Sequence, residues 1–142
     1  MPTEQKSPIS HLAISSDNRF VATASWDNAA IVWAFAPGEE PRQVARLPGQ
    51  GVPVWSLAFS PDGRRLALGT ANGEIRLWDI EHRIQVGILQ GHGQPVWQLG
   101  FNSKDNSLVS VAPDELRVWP GAEGNHIAPR DPARVNALGE KF

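Results

Sequence analysis

The chain has 142 residues and a net charge of −2, with thirteen Gly, twelve Pro, six Trp, no Tyr and no Cys. That length is one domain's worth; the lack of Cys excludes disulfides, thiolate catalysis and Cys-ligated zinc, and the near-neutral charge gives no bulk attraction to nucleic acid or an anionic membrane. No apolar run approaches the ~20 residues of a membrane helix, and residues 1–10 hold no apolar signal-like core, so a soluble, cytoplasmic protein without nucleic-acid or membrane contacts is expected.

The Gly and Pro content implies many turns and short strands. The Trp content traces to a repeat. Trp33, Trp78 and Trp119 recur at intervals of 45 and 41 residues, a period typical of stacked repeats. Shifting by 45 lays residues 15–35 on 60–80, with Asp17 on Asp62, Ala22 on Ala67, Ser25 on Thr70 and Val32 on Leu77. Upstream, Pro8, Ile9 and Leu12 fall on Pro53, Val54 and Leu57. The first copy ends in a fourth strand at 43–47. In the second copy Val54, Leu57 and Phe59 mark a strand apolar on both sides. Ser60-Pro61-Asp62-Gly63 is a tight turn, with Pro fixing φ at its second position and Gly tolerating φ > 0 at its fourth. Residues 65–70 form the next strand, and Asn72-Gly73 is the pair most favoured in a two-residue hairpin. Residues 74–78 and 83–89 alternate as third and fourth strands. The third copy lies at a shift of 42, then 41. Pro95-Val96-Trp97 falls on Pro53-Val54-Trp55, Leu99 on Leu57 and Phe101 on Phe59. Beyond Trp119 the expected fourth strand meets Pro129 and Pro132. Residues 133–138 offer a late, weak strand, and otherwise 120–142 reads as a tail.

Four short antiparallel strands per copy make one propeller blade. Gly91-His92, Ser60-Pro61-Asp62-Gly63 and Leu77-Trp78-Asp79 together resemble the WD-repeat β-propeller family over residues 3–119. The resemblance implies an all-β fold, a partial propeller of three four-stranded antiparallel blades. These lie at 3–47, 48–89 and 90–119, the last with its outer strand open, followed by a C-terminal tail at 120–142. It also implies a hydrogen-bond network in each blade, joining a His, a Ser or Thr, an Asp and a Trp away from water. By position the first blade offers Gln5, Ser25, Asp27 and Trp33, and the second Gln50, Thr70, Asn72 and Trp78. The third offers His92, Ala112, Asp114 and Trp119. Ala112 has no hydroxyl, so the third blade is expected to be the loosest.

The other three Trp are not needed by the repeat. Trp55 and Trp97 are equivalent, beside Val54 and Val96, with Ser10 at that place in the first copy. Trp26 precedes the turn residue Asp27. The resemblance places all three around the mouth of the central channel, the family's usual partner-binding face, and Trp is a favoured interface anchor. Packing between blades is the competing role. His92, Ser110 and Asp114 are the ingredients of a catalytic triad, but no Gly-x-Ser-x-Gly elbow accompanies them. His11, His82, His92 and His126 lack metal-site spacing, and Gly91-His92-Gly93 lacks the Lys-Ser/Thr of a phosphate loop. No enzyme activity, metal or cofactor is expected.

The function expected is a non-catalytic WD-repeat scaffold for protein–protein contacts. A regulatory or sensor segment of a larger signalling protein is the alternative, and a propeller hydrolase stands further off. Closed propellers have about four to eight blades, and three blades leave two end faces bare. Each face spans about 320 Å², and covering one is worth up to about 8 kcal/mol. A truncated propeller completed by further blades of a longer chain, or closure by a homo-oligomer, is therefore expected.

Overall fold

The computed structural model describes residues 9–25, 29–48, 52–120 and 133–136. Its strands form three four-stranded antiparallel sheets, and the described residues contain no helix. The first sheet is β1 (Ile9–Ile14), β2 (Phe20–Ser25), β3 (Ala29–Ala34) and β4 (Arg42–Pro48). The second is β5 (Val54–Phe59), β6 (Arg65–Thr70), β7 (Ile75–Asp79) and β8 (Ile84–Leu89). The third is β9 (Gln98–Phe101), β10 (Leu108–Ala112), β11 (Glu115–Trp119) and β12 (Ala133–Asn136). In each, strands neighbour in chain order, the arrangement that short turns allow. β12 pairs Ala133 with Val118 and Asn136 with Glu115, so residues 133–136 of the C-terminal segment supply the third sheet's outer strand.

The β1–β2 and β5–β6 turns share one chemistry. Ser15 and Ser60 each donate a hydroxyl to the Asp two residues on, at 2.7 Å, and each accepts the backbone N–H five residues on, at 3.0 Å. The turn needs one left-handed residue. Gly63 takes it at φ +75° and Asn18 takes the matching place in the first copy at 62°, whereas the third copy's turn puts it one residue later, at Asn106 with 61°; Asn tolerates αL best after Gly.

Alternation gives each sheet two faces. Ala22, Ala24 and Val32 of the first sheet pack on Leu66, Leu68 and Trp78 of the second. The second sheet's other face, with Ala67, Ile75 and Leu77, packs on Val96, Leu108 and Trp119. Every residue of β6 is accordingly buried, as expected for a strand covered on both sides. Arg65 sits opposite Asp79 and pairs with it at 2.8 Å. Burial pushes the Asp79 carboxyl up, but the backbone and ring N–H of His82 and the Arg65 guanidinium outweigh it and hold the group at about 2.

The outer faces of the stack are less covered. Leu12 and Ile14, on the Trp33 face of the first sheet, are 62% and 54% exposed. Val109, Val111, Leu116 and Val118, on the far face of the third, are half-buried.

Candidate functional site

In the third sheet Trp119 lies opposite Leu108, so its diagonal neighbour on the same face is Ser110. Trp119 Nε1 donates to Ser110 Oγ at 2.9 Å, and that oxygen lies 2.7 Å from His92 Nε2. Ser110 Oγ thus bridges the indole and the imidazole. Glu115 Oε1 lies 3.0 Å from His92 Nδ1 and accepts Arg117 Nε–H at 2.5 Å. His92, Ser110, Glu115, Arg117 and Trp119 are all buried. The order Glu115–His92–Ser110 imitates a catalytic triad. Ser110 has no exposed surface, however, and its oxygen already holds the indole N–H, so the site presents no nucleophile to a substrate.

Burial, and then the Arg117 cation, push the His92 imidazole below its ordinary value. The unfolded chain takes up this proton near pH 6.5 while the folded chain resists. Stability from this group is therefore full above about pH 6.5 and falls as the pH drops toward the lower folded value. His82 acts in the opposite sense. Hydrogen bonding to Asp79 raises it, so its contribution is present below about pH 6.5 and is lost as pH rises through the folded value. In a His82→Gln background, denaturation curves should lose stability over the pH unit below ~6.5, and adding His92→Gln should flatten that slope. An unchanged slope would contradict the assignment.

The first sheet repeats the indole contact. Trp33 lies opposite Val21, and its Nε1 donates to the diagonal hydroxyl, Thr23 Oγ1, at 3.1 Å. In the second sheet the diagonal residue is Leu68, and among the described residues the buried Trp78 Nε1 has no acceptor. These contacts correct the expected networks. Thr70 and Ala112 stand four residues from the residue opposite each Trp, about 13 Å along the strand, beyond an indole's reach. Thr70 instead donates to Asn72 Oδ1 at 2.5 Å and accepts from Glu74 N at 3.2 Å, fastening the hairpin turn. Asp114 is exposed on its turn, and the adjacent Glu115 takes the place expected of it beside His92. Thr23, Ser110, Glu115 and Arg117 are thus the members that the positional carry-over omits. Among the described residues the third sheet carries a network that runs through Ser110 rather than Ala112. Gln5, Asp27, Gln50 and the side chain of Ser25 lie outside the described residues.

Trp55 is skipped in the β5–β6 register between Val54 and Ser56, and Ser10 is skipped likewise between Ile9 and His11. Such a bulge re-aims its side chain. Trp97, just before β9, donates its backbone N–H to Val111 O at 2.7 Å. Trp55 is half-buried, whereas Trp97 is 47% exposed. Trp26 lies outside the described residues.

The sequence matches the family described as WD domain, G-beta repeat over residues 2–34 and 41–79, about half of the chain. The chain belongs to the WD-repeat family. Among relatives of this WD-repeat chain, the periodic tryptophan protein 2 homolog of Mus musculus is 32% identical over 80 residues, covering 56% of this chain and 8% of that protein. Apoptotic protease-activating factor 1 of Rattus norvegicus is 43% identical over 68 residues, covering 48% and 5%. The chain therefore spans less than a tenth of either relative's length. Among solved structures, that of U3-55K superposes with a TM-score of 0.77 at 23% identity, over 92% of this chain and 42% of that one. The RRP9 WD40 repeats give a TM-score of 0.75 at 24% identity over the same shares. The three sheets are thus three blades of a WD-repeat propeller. The sequence match ends at Asp79, and the likeness in structure extends over the third blade.

Proposed function

We propose that this WD-repeat chain is a non-catalytic scaffold whose protein partner seats on the end of the blades that carries Trp55 and Trp97, with Trp26 as a further anchor. The 47% exposure of Trp97 carries the reading. An indole left in water forgoes a large apolar burial, and such residues anchor protein interfaces. Trp97 belongs to neither hydrophobic cluster and to none of the blade networks. Trp97→Ala should leave the melting temperature nearly unchanged and weaken partner capture about 30-fold, the effect of losing ~2 kcal/mol at a hot spot. A drop of several degrees with the captured partners unchanged would make the indole a packing residue and end the proposal.

The two end faces support a second element of this reading. Leu12 and Ile14 lie on the same kind of face by which the second and third blades pack on their predecessors, and Val109, Val111, Leu116 and Val118 on the kind that receives it. These are the two halves of one interface, covered by further blades or by a second copy of the chain. Taken alone, the 142-residue chain should sediment as a dimer or larger species at micromolar concentration. A monodisperse monomer would contradict this.

A further inference from the structure

The end of the blades that carries Trp97 is unbalanced in charge. Trp97 is bonded through its backbone to Val111, near the end of β10, and Pro113-Asp114 makes the turn that follows. Trp97 and Asp114 therefore share the tip of the third blade, and the Asp114 charge reaches His92 in the loop that leads to Trp97. The Asp114 carboxylate is exposed and makes no hydrogen bond or ion pair among the described residues. The neighbouring acids are engaged. Glu74 accepts from Asn72, Arg76 and Gln90, and Glu115 is buried against Arg117. The exposed cations among the described residues lie elsewhere. Arg19, Arg64, Arg83 and Lys104 are in the turns at the opposite end, Arg42 starts β4 at that end, and Arg46 is further along the same outer strand.

The interior of the same blade shows what such a tip can hold. Arg117 lies over the Trp119 ring, 6.0 Å from its centroid, while its Nε–H binds the Glu115 carboxylate. An indole, a carboxylate and a guanidinium satisfy one another there. At the surface, Trp97 and Asp114 supply the indole and the carboxylate of such a trio without the guanidinium. The second blade offers no free acid beside its indole. Trp55 is half-buried, and the turn there carries Asn72-Gly73, with the Asn72 amide tied to Thr70 and Glu74.

We propose that the partner seats at Trp97 through an Arg-bearing basic segment, whose guanidinium lies on the indole with Asp114 as its counter-charge. This rests on the scaffold reading above and adds the partner's chemistry to it. Arg fits better than Lys, because its flat guanidinium stacks on a ring and still donates to a carboxylate.

The probe is the peptide acetyl-Gly-Arg-Gly-Arg-Gly-amide, titrated into the isotope-labelled full chain. The readout is the Trp97 indole N–H resonance, assigned by its loss in Trp97→Ala. Saturable movement is expected, and added salt should weaken it. Asp114→Asn should weaken it about fivefold or more. Asn suits an exposed turn as well as Asp does, so that variant removes the charge without threatening the fold. Glu81→Gln removes an exposed acid from the β7–β8 turn at the opposite end and should leave the titration unchanged. The matching Gly-Leu-Gly-Leu-Gly peptide should not move the resonance. Movement with the Leu peptide and none with the Arg peptide would make the indole an apolar anchor; the scaffold reading would stand and the basic partner would be overturned. Movement indifferent to Asp114→Asn, or none at millimolar Arg peptide, overturns it too. The scaffold reading fails separately, through partner capture that survives Trp97→Ala.

Discussion

Glu115→Ala is expected to destabilise the chain by about 3–5 kcal/mol, the cost of removing one member of a buried ion pair. Glu115 and Arg117 side chains are 6% and 8% exposed. With the carboxylate gone, the guanidinium keeps its burial and loses its counter-ion, and His92 Nδ1 loses the carboxylate 3.0 Å from it. Glu115→Gln, which keeps the shape and an acceptor, should cost less. Glu115→Ala combined with Arg117→Leu should recover part of the loss, because the stranded charge leaves with the second change. Urea denaturation of the three variants measures this. A loss below about 1 kcal/mol for Glu115→Ala would place the pair in the solvent-supported class and contradict its role in the core.

Gly73→Ala is the second large effect, expected at about 2–4 kcal/mol from left-handed strain and overpacking together. Gly73 has φ +87°, and a Cβ there would lie 2.2 Å from the carbonyl oxygen of His92. Backbone stands on both sides of that contact, so no rotamer relieves it. The second blade's hairpin turn is thereby pressed against the loop that delivers His92 to the third blade. The variant should lower the melting temperature and shift the His92 ring resonances together. Gly63→Asn is the matched control. It keeps a left-handed φ of +75° but has open space around it, and Asn18 already holds the equivalent place in the first blade. That change should be nearly neutral. Equal effects at 63 and 73 would remove the contact with His92 as the cause.

Much of the fold is legible from spacing and turn chemistry. The interval between Trp33, Trp78 and Trp119 sets the blades, and Ser60-Pro61-Asp62-Gly63 and Asn72-Gly73 mark the two turns that fix the second blade's strands. The polar networks were less legible for a definite reason. Which hydroxyl an indole meets depends on pairing register, because only the opposite residue and its diagonal neighbour are within reach. Counting back from the Asn72-Gly73 turn places Leu66 opposite Trp78 and Leu68 on the diagonal. The same count finds Thr23 and Ser110, so the signal was present in strand length rather than in residue type. Glu115 was hidden differently. It adjoins Asp114, and only the end of the hairpin decides which carboxylate turns inward.

The scaffold role itself is tested most directly at Trp97. A photo-crosslinking phenylalanine analogue placed at position 97, and as a control at Ile88 on the exposed outer strand, can be activated in cells. Covalent adducts to a discrete partner protein from position 97, and none from position 88, are the predicted result. Adducts only within the chain at position 97, or the same adducts from both positions, would contradict a partner seated on the indole-bearing end.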